Sequence, residues 1–239
     1  MATRLQYCRA GPAQDLLRER RSLMLKNLFS SATHAQAAAP APAPPAYAYP
    51  LKLNLGCGYK KLDGYVNADK YPDSQPDLLL DLEVLPWPFP DNSVTHIMMS
   101  NILEHIGQQP ALFLRIVQEL WRICAPQAEI TISVPHPRHD HFLGDPTHVR
   151  AILPDTLHVF DQVQNRNGIA TGNATTPLGV QLGVDFHVDS VQFVLDPRWL
   201  PRFESGEVTA EQVMEYSLKE NNVIAEFIFR WIVHKPVRG

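Results

Sequence analysis

The chain is short of several things, and each shortage removes a class of explanation. It has only three cysteines in 239 residues, Cys8, Cys57 and Cys124. They are odd in number, far apart and without a Cys-x-x-Cys pair. That fits a reducing, cytoplasmic setting and not a disulfide framework or a cysteine-bound zinc. Positive charge is not in excess: 21 Lys and Arg face 25 Asp and Glu, a formal net charge of −4. Such a balance sets up no general field toward polyanions, so no clear nucleic-acid role follows. No apolar run approaches the ~18 residues a membrane-spanning helix needs, and the start lacks an apolar signal-like core. A third glycine is also missing. Three positions beyond Gly58 stands Lys61, so the dinucleotide fingerprint Gly-x-Gly-x-x-Gly is incomplete.

Elsewhere the proportions are ordinary. Hydrophobic residues make up 45% of the chain and charged residues 19%, as in a globular domain with a buried core. The length suits one domain with accessories. Over 13–29, Leu16, Leu17, Leu23, Met24 and Leu28 fall broadly on one side of a helix, with Arg18, Arg20, Arg21 and Lys26 elsewhere. A basic amphipathic helix of this kind serves a membrane surface or a partner, or docks on its own domain or on a sister subunit, as in a homodimer. Five prolines in the eleven residues 40–50 make an extended, semi-rigid spacer. The expected division is an N-terminal helical extension over 1–31, an Ala/Pro-rich linker over 32–50 and a folded domain over 51–239.

That domain opens on an apolar strand, Leu51, Leu53 and Leu55, ending in Gly56-Cys57-Gly58. Glycines there let the backbone turn sharply and admit a ligand close to the main chain. A helix is expected next, its free N–H groups facing an anionic group. Residues 66–69 read as a second strand ending in Asp69, where nucleoside-binding α/β domains hold ribose hydroxyls. The run DLLLDL brings another acid, Asp81. Three prolines and Asp91-Asn92 make 85–93 a loop. Residues 96–99 read as a short buried strand ending at Ser100-Asn101, and 102–106 begin a helical turn.

Taken in order, LNLGCG, DGYVNAD, DLLLDL, LPWPFPDNS and SNILEHI resemble the class I S-adenosylmethionine-dependent methyltransferases. Within them the resemblance is to a bacterial group with an Asn-Leu-Gly-Cys-Gly opening and a Leu-Glu-His-Ile signature. It runs well over 51–135 and loosely beyond. It implies an α/β fold: a Rossmann-like, doubly wound, seven-stranded, mostly parallel sheet with an antiparallel last strand, flanked by helices. It also implies S-adenosyl-L-methionine as cofactor and methyl transfer as the reaction. By the same resemblance Gly56 and Gly58 pass the methionine portion, Asp69 holds the ribose hydroxyls, and Asp81 and Leu82 flank the adenine. Asn101 lines the cleft floor, and His105 stands with Glu104 beside the cleft. Asn54, where relatives commonly carry an acid, is counted with the cofactor-binding residues. The Asn/Asp-Pro-Pro-Tyr tetrapeptide of many amino-methylating nucleic-acid enzymes is absent. The expected acceptor is a small molecule or saccharide methylated on O or N. A macromolecular acceptor, protein or nucleic acid, and a non-catalytic binding subunit of the same fold are the alternatives.

Further on, Leu112, Phe113, Ile116, Val117, Leu120 and Trp121 recur at helical spacing. They predict a helix over 110–123 opened by Pro110, with Phe113 and Trp121 in the core. Alternation over 129–134 predicts a fifth strand. Residues 153–183 read as a short helix near 155–161 followed by a long loop that shapes the acceptor pocket. Residues 184–196 read as a sixth strand, 209–220 as a helix and 222–236 as a closing strand with Ile224, Phe227, Phe229, Trp231 and Val233 buried.

The most chemically loaded stretch follows strand five. Residues 136–148 hold four histidines and two aspartates in thirteen positions. Imidazoles titrate near neutral pH and suit a general base toward an acceptor hydroxyl or amine; His148, His136 and His139 are the candidates. Histidine with carboxylate also suits a divalent metal, although no metal is assigned. The plain alternative is a polar loop whose aspartates cap helices, Asp145-Pro146-Thr147 being a helix start. Arg150 suits either an anionic acceptor or an ordinary surface position.

Overall fold

The computed structural model describes residues 48–173 and 175–238. The expected helix over 1–31 and most of the 32–50 linker lie outside them. The strands are β1 Leu51–Leu55, β2 Val66–Asp69, β3 Leu78–Leu79, β4 Val94–Ser100, β5 Cys124–Pro135, β6 Phe186–Leu195 and β7 Ile224–Val233. They form a single sheet in the order β3-β2-β1-β4-β5-β7-β6. β1 through β5 pair in parallel, and β7 runs antiparallel to both β5 and β6. Six strands therefore share one direction and the last opposes them, the mostly parallel Rossmann-like sheet that the resemblance implied. Leu53, Leu55, Ile97, Met99, Ile130 and Ile132 are buried at its centre, as strands covered on both faces require.

The helices are α1 Pro110–Ile123, α2 Asp140–Leu143, α3 Pro154–His158, α4 Gln162–Thr171, α5 Leu178–Leu182, α6 Leu200–Glu204 and α7 Ala210–Lys219. In α1 the predicted stripe faces inward, with Phe113, Ile116, Val117 and Leu120 buried. Trp121 departs from the expectation. It is half-buried, with the Lys235 ammonium 4.3 Å above its ring. α7 opens on a capping box between Thr209 and Gln212. Its Val213 joins Trp199, Val208 and Val223 in a small satellite core. Trp231 of β7 stacks 3.9 Å from Phe186 of β6, in line with the buried pattern read for the closing strand.

Four local expectations are corrected. No helix follows Gly58: residues 56–65 pass to β2 as turns, fewer than a helical crossover between parallel strands needs. Residues 102–106 form a turn and not the start of a helix, and so do 145–147. The long loop expected over 162–183 is mostly helical. α4 carries almost no apolar stripe, so periodicity misses it, but its ends are well stopped. Asp161 accepts from the N–H groups of Val163 and Gln164 at the start, and Gly172 takes a left-handed conformation at the finish. Among the described residues no helix is long and apolar enough to cross a membrane.

Candidate functional site

Open α/β sheets bind ligands outside the carboxyl ends of their strands, and here four such ends meet. β1 finishes with Gly56 and Gly58 both in the left-handed region, φ +68° and +47°. At Gly56 a Cβ would lie 2.6 Å from Ile102 Cγ1, so the residue just past β4 presses on the turn. At Gly58 a Cβ would meet nothing within 4 Å; on that side the main chain is open. The N–H groups of Gly56 and Cys57 both reach the Ala68 carbonyl, at 2.8 and 3.1 Å. The Gly58 N–H donates to Asp69 Oδ2 at 2.8 Å, and Asp69 Oδ1 accepts from the Tyr71 N–H at 2.9 Å. Two backbone donors thus fix a buried carboxylate between the ends of β1 and β2, and each of its oxygens keeps a further lone pair.

Beneath the turn lies a polar brace. Asn54 is buried, and its amide donates to the Lys60 carbonyl and to Asn67 Oδ1, both at 2.9 Å. Asn67 Oδ1 also accepts from the Leu62 N–H, and Asp77 Oδ2 accepts from Asn67 twice. These bonds hold the helix-free connection over 59–65. Asn54, counted with the cofactor-binding residues, supports the turn from beneath. Asp81 lies beyond the end of β3, exposed, with Oδ1 accepting from the Glu83 N–H. Leu82 is buried, its carbonyl accepting from Trp87 Nε1 at 3.2 Å. Asn101 is exposed at φ +51°, directly past β4, its N–H donating to the Ser133 carbonyl.

The histidine-rich stretch divides in space. His136 is buried against Phe227, ring centroids 4.8 Å apart, and its Nδ1 accepts from the Arg138 N–H at 3.1 Å. Burial, then the Arg138 charge, holds its pKa below the usual value. In the neutral ring so fixed, Nε2 carries the proton and has no lone pair for a base to use. His139 is 3% exposed. Its Nδ1 accepts from the His141 N–H at 3.0 Å, and its Nε2 donates to Asp196 Oδ2 at 2.9 Å. Asp196 is also clasped by Arg198, whose hydrogen bonds hold it well below the ordinary carboxylate range. Two of the three expected bases, His136 and His139, thus sit in packing and bracing positions.

His148 joins a different group. Its Nδ1 lies 2.8 Å from the Phe142 carbonyl oxygen, which only accepts, so Nδ1 holds the proton and Nε2 the lone pair. The ring stacks on Phe142 and stands 4.5 Å from that of His105. His105 Nδ1 is 3.0 Å from Thr147 Oγ1, and that hydroxyl donates to Asp145 Oδ1 at 2.6 Å. The hydroxyl proton being spent on Asp145, His105 must donate from Nδ1, leaving Nε2 free. Burial, then the neighbouring His148, lowers the His105 pKa. Beside them Glu104 is 1% exposed, with neither carboxylate oxygen hydrogen-bonded among the described residues. Its pKa is pushed up to about 7, first by burial and then by Glu226 and Asp145. One ligand atom from each of Glu104, His105 and His148 lies within 4.8 Å of the other two.

This group is rigidly mounted. The Glu104 carbonyl accepts from the N–H groups of Val149 and Arg150 at 2.9 and 3.3 Å, docking the 145–150 segment on the turn after β4. Gly107 has φ +65°, donates to Glu83 Oε1 at 2.7 Å, and leaves no room for a Cβ, which would lie 2.7 Å from Phe113 Cα. Arg150 donates to the Gly107 carbonyl at 2.9 Å and covers the Phe113 ring at 4.0 Å. It is a strut, not a free surface cation. Sequence reasoning set Glu104 only beside the cleft; a carboxylate between Leu103 and the His105-Ile106 pair was the available signal. Two surface hollows, of about 400 and 450 Å³, lie elsewhere, one beside α1 and one at the starts of β1 and β2. Neither includes Gly56, Asp69, Glu104 or His148.

No family model and no curated protein matches the sequence. Solved structures do resemble it. A SAM-dependent methyltransferase from Archaeoglobus fulgidus aligns with a TM-score of 0.52 at 16% identity, over 92% of this chain and 99% of that one. A putative S-adenosylmethionine-dependent methyltransferase from Listeria monocytogenes gives 0.43 at 13% identity, over 80% and 94% of the two chains. Another, from Mesorhizobium loti, gives 0.42 at 16%, over 76% and 90%. The likeness to the Archaeoglobus protein is one of fold: the strand order and the antiparallel last strand are those of a Rossmann-like methyltransferase sheet.

Proposed function

We propose that the protein is an S-adenosyl-L-methionine-dependent methyltransferase acting on an O or N atom of a small-molecule or saccharide acceptor. The observation that carries this reading is the joint between β1 and β2, where a glycine turn, open at Gly58, is tied to the buried Asp69 carboxylate. The residues suit the cofactor. The absent Cβ at Gly58 leaves space against the main chain, and Asp69 retains accepting capacity for a diol. In this reading the Gly56–Gly58 main chain passes the methionine portion, Asp69 takes the ribose hydroxyls, Asn101 lines the floor, and Asp81 and Leu82 border the adenine. When bound, the cofactor supplies a methyl group already activated on a sulfonium.

The chain's own work is to orient the acceptor, exclude water and receive a proton. Ile102, pressed on Gly56, links the turn to the Glu104–His105–His148 group. His148 is the base of this reading: its Nδ1–H is held by the Phe142 carbonyl, so Nε2 accepts the proton lost by the acceptor O–H or N–H. The imidazolium then faces Asp145 Oδ2 at 3.9 Å.

Calorimetry and thermal shift with S-adenosylhomocysteine and NAD test the reading. S-adenosylhomocysteine is expected to bind and stabilise, and NAD to do neither. Asp69→Asn is expected to weaken S-adenosylhomocysteine about 10–100-fold, the loss of one charged hydrogen-bonding group at about 1.5–3 kcal/mol. No response to S-adenosylhomocysteine, or the same affinity in Asp69→Asn, overturns it.

A further inference from the structure

We propose that Glu104, His105 and His148 form a divalent-cation site of the two-histidine, one-carboxylate kind. It rests on three independent features of the folded chain. The donor atoms converge, one from each residue within 4.8 Å of the others. Glu104 is an anomaly by itself: a carboxylate 1% exposed with both oxygens unpartnered among the described residues. Buried carboxylates are almost always hydrogen-bonded, ion-paired or bound to a metal. No cationic side chain among the described residues pairs with it. Arg150, on the segment docked against Glu104, is turned to the carbonyls of Ile106 and Gly107 and to the Phe113 ring. The charged side chains that act on Glu104 are Glu226 and Asp145, both acidic.

The third feature is the orientation of the imidazoles. Both spend Nδ1–H on fixed acceptors, His148 on the Phe142 carbonyl and His105 on the Thr147 hydroxyl, which Asp145 holds in turn. Metal-bound histidines are held in this way: an outer acceptor takes one N–H, fixes the tautomer and leaves the other nitrogen's lone pair for the ion. A polar loop that merely satisfied its own hydrogen bonds would have no cause to gather two imidazoles, each with one nitrogen unprotonated, beside an unpartnered carboxylate. Two imidazoles and one carboxylate favour a first-row transition ion such as Zn²⁺, Mn²⁺, Fe²⁺ or Co²⁺ over Mg²⁺ or Ca²⁺, which prefer all-oxygen sets. Bonds of about 2.0–2.2 Å would draw the donors together, and Glu104, free of hydrogen bonds, is able to turn toward the ion. Asp145, 43% exposed at its side chain, borders the group 3.9 Å from His148 Nε2.

The site stands without the methyltransferase reading but adds to it. An acceptor hydroxyl bound at an open position of such an ion would lose its proton to solvent more readily than a free one. The ion would then occupy the His148 lone pair and replace that residue as the cause of acceptor activation.

The test uses the full chain without an affinity tag, stripped with chelator and titrated separately with Zn²⁺, Mn²⁺ and Co²⁺ by calorimetry. The Co²⁺ form is also followed by its visible d–d absorption. One ion per chain is expected. Glu104→Gln and His148→Gln should each lower affinity at least the about 10–100-fold that loss of even an outer-sphere partner costs. His141→Ala, outside the group, should bind as the wild type does. No binding near one equivalent, or wild-type affinity in both Glu104→Gln and His148→Gln, overturns the proposal. So does loss of binding in His141→Ala with retention in Glu104→Gln. Circular dichroism of each variant confirms folding. S-adenosylhomocysteine binding to the chelated protein is measured in parallel. If it fails while the ion binds, the methyltransferase reading falls and the cation site remains.

Discussion

Replacing Glu104 by glutamine tests how this carboxyl is buried, and the effect can be worked out before the measurement. In the chelated wild type the group titrates at about 7 instead of 4.5, first because burial disfavours the charge and then because Glu226 and Asp145 repel it. Below pH 4.5 the carboxyl is protonated in both folded and unfolded chains. Between 4.5 and about 7 the unfolded chain releases its proton while the folded chain keeps it. The folded state then binds more protons, so stability falls as pH rises and is lost through about 7. The full loss, over about 2.5 pH units at about 1.4 kcal/mol each, is about 3 kcal/mol. About 2 kcal/mol of that falls between about pH 5.5 and 8.5, by the same linkage. A glutamine side chain cannot ionise and escapes this loss. In the chelated protein, Glu104→Gln should therefore gain about 2 kcal/mol on the wild type between those two pH values. For a chain of this size that is about 4–8 °C in Tm. The assay is thermal or urea unfolding followed by circular dichroism at both pH values. If the variant and wild-type curves stay parallel across that range, Glu104 is not held uncharged by its surroundings and the reasoning fails.

Gly107→Ala should cost about 2–4 kcal/mol, since the substitution combines a left-handed backbone with a close approach to the Phe113 main chain; a loss under about 0.5 kcal/mol in urea unfolding, within the range of an ordinary surface substitution, would contradict the described packing. Asp196→Ala leaves the buried His139 Nε2–H without a partner and should cost about 1–3 kcal/mol. It should leave S-adenosylhomocysteine affinity unchanged, because the His139–Asp196 brace is separate from the Asp69 joint, and a tenfold weakening by calorimetry would show that the two are coupled.

Much of the architecture was legible because it is written locally. The alternation in β5 to β7, the apolar stripe of α1 and the acid closing β2 each depend on neighbours a few positions apart. Where that local code is weak the reading failed. α4 is polar all round and announces itself only by its two stops. The absent helix after Gly58 is replaced by the Asn54–Asn67–Asp77 brace, whose members lie on different strands and loops. The histidines of 136–148 form one cluster along the chain but two in space. His136 and His139 turn toward Phe227 and Asp196, while His148 packs back on the turn after β4.

The sequence alone determined the glycine turn with Asp69, the main strands and the apolar stripe of α1, because backbone conformation and hydrophobic period are short-range properties; the class of sheet followed from the resemblance carried by the ordered motifs of 51–135. Only the tertiary structure decided which imidazole nitrogens are protonated, that Glu104 has no partner among the described residues, and that Glu104 and His105 lie together with His148. A proton's position on an imidazole and the solvation of a carboxylate depend on what the fold brings alongside from distant segments, and no run of residues encodes that by itself.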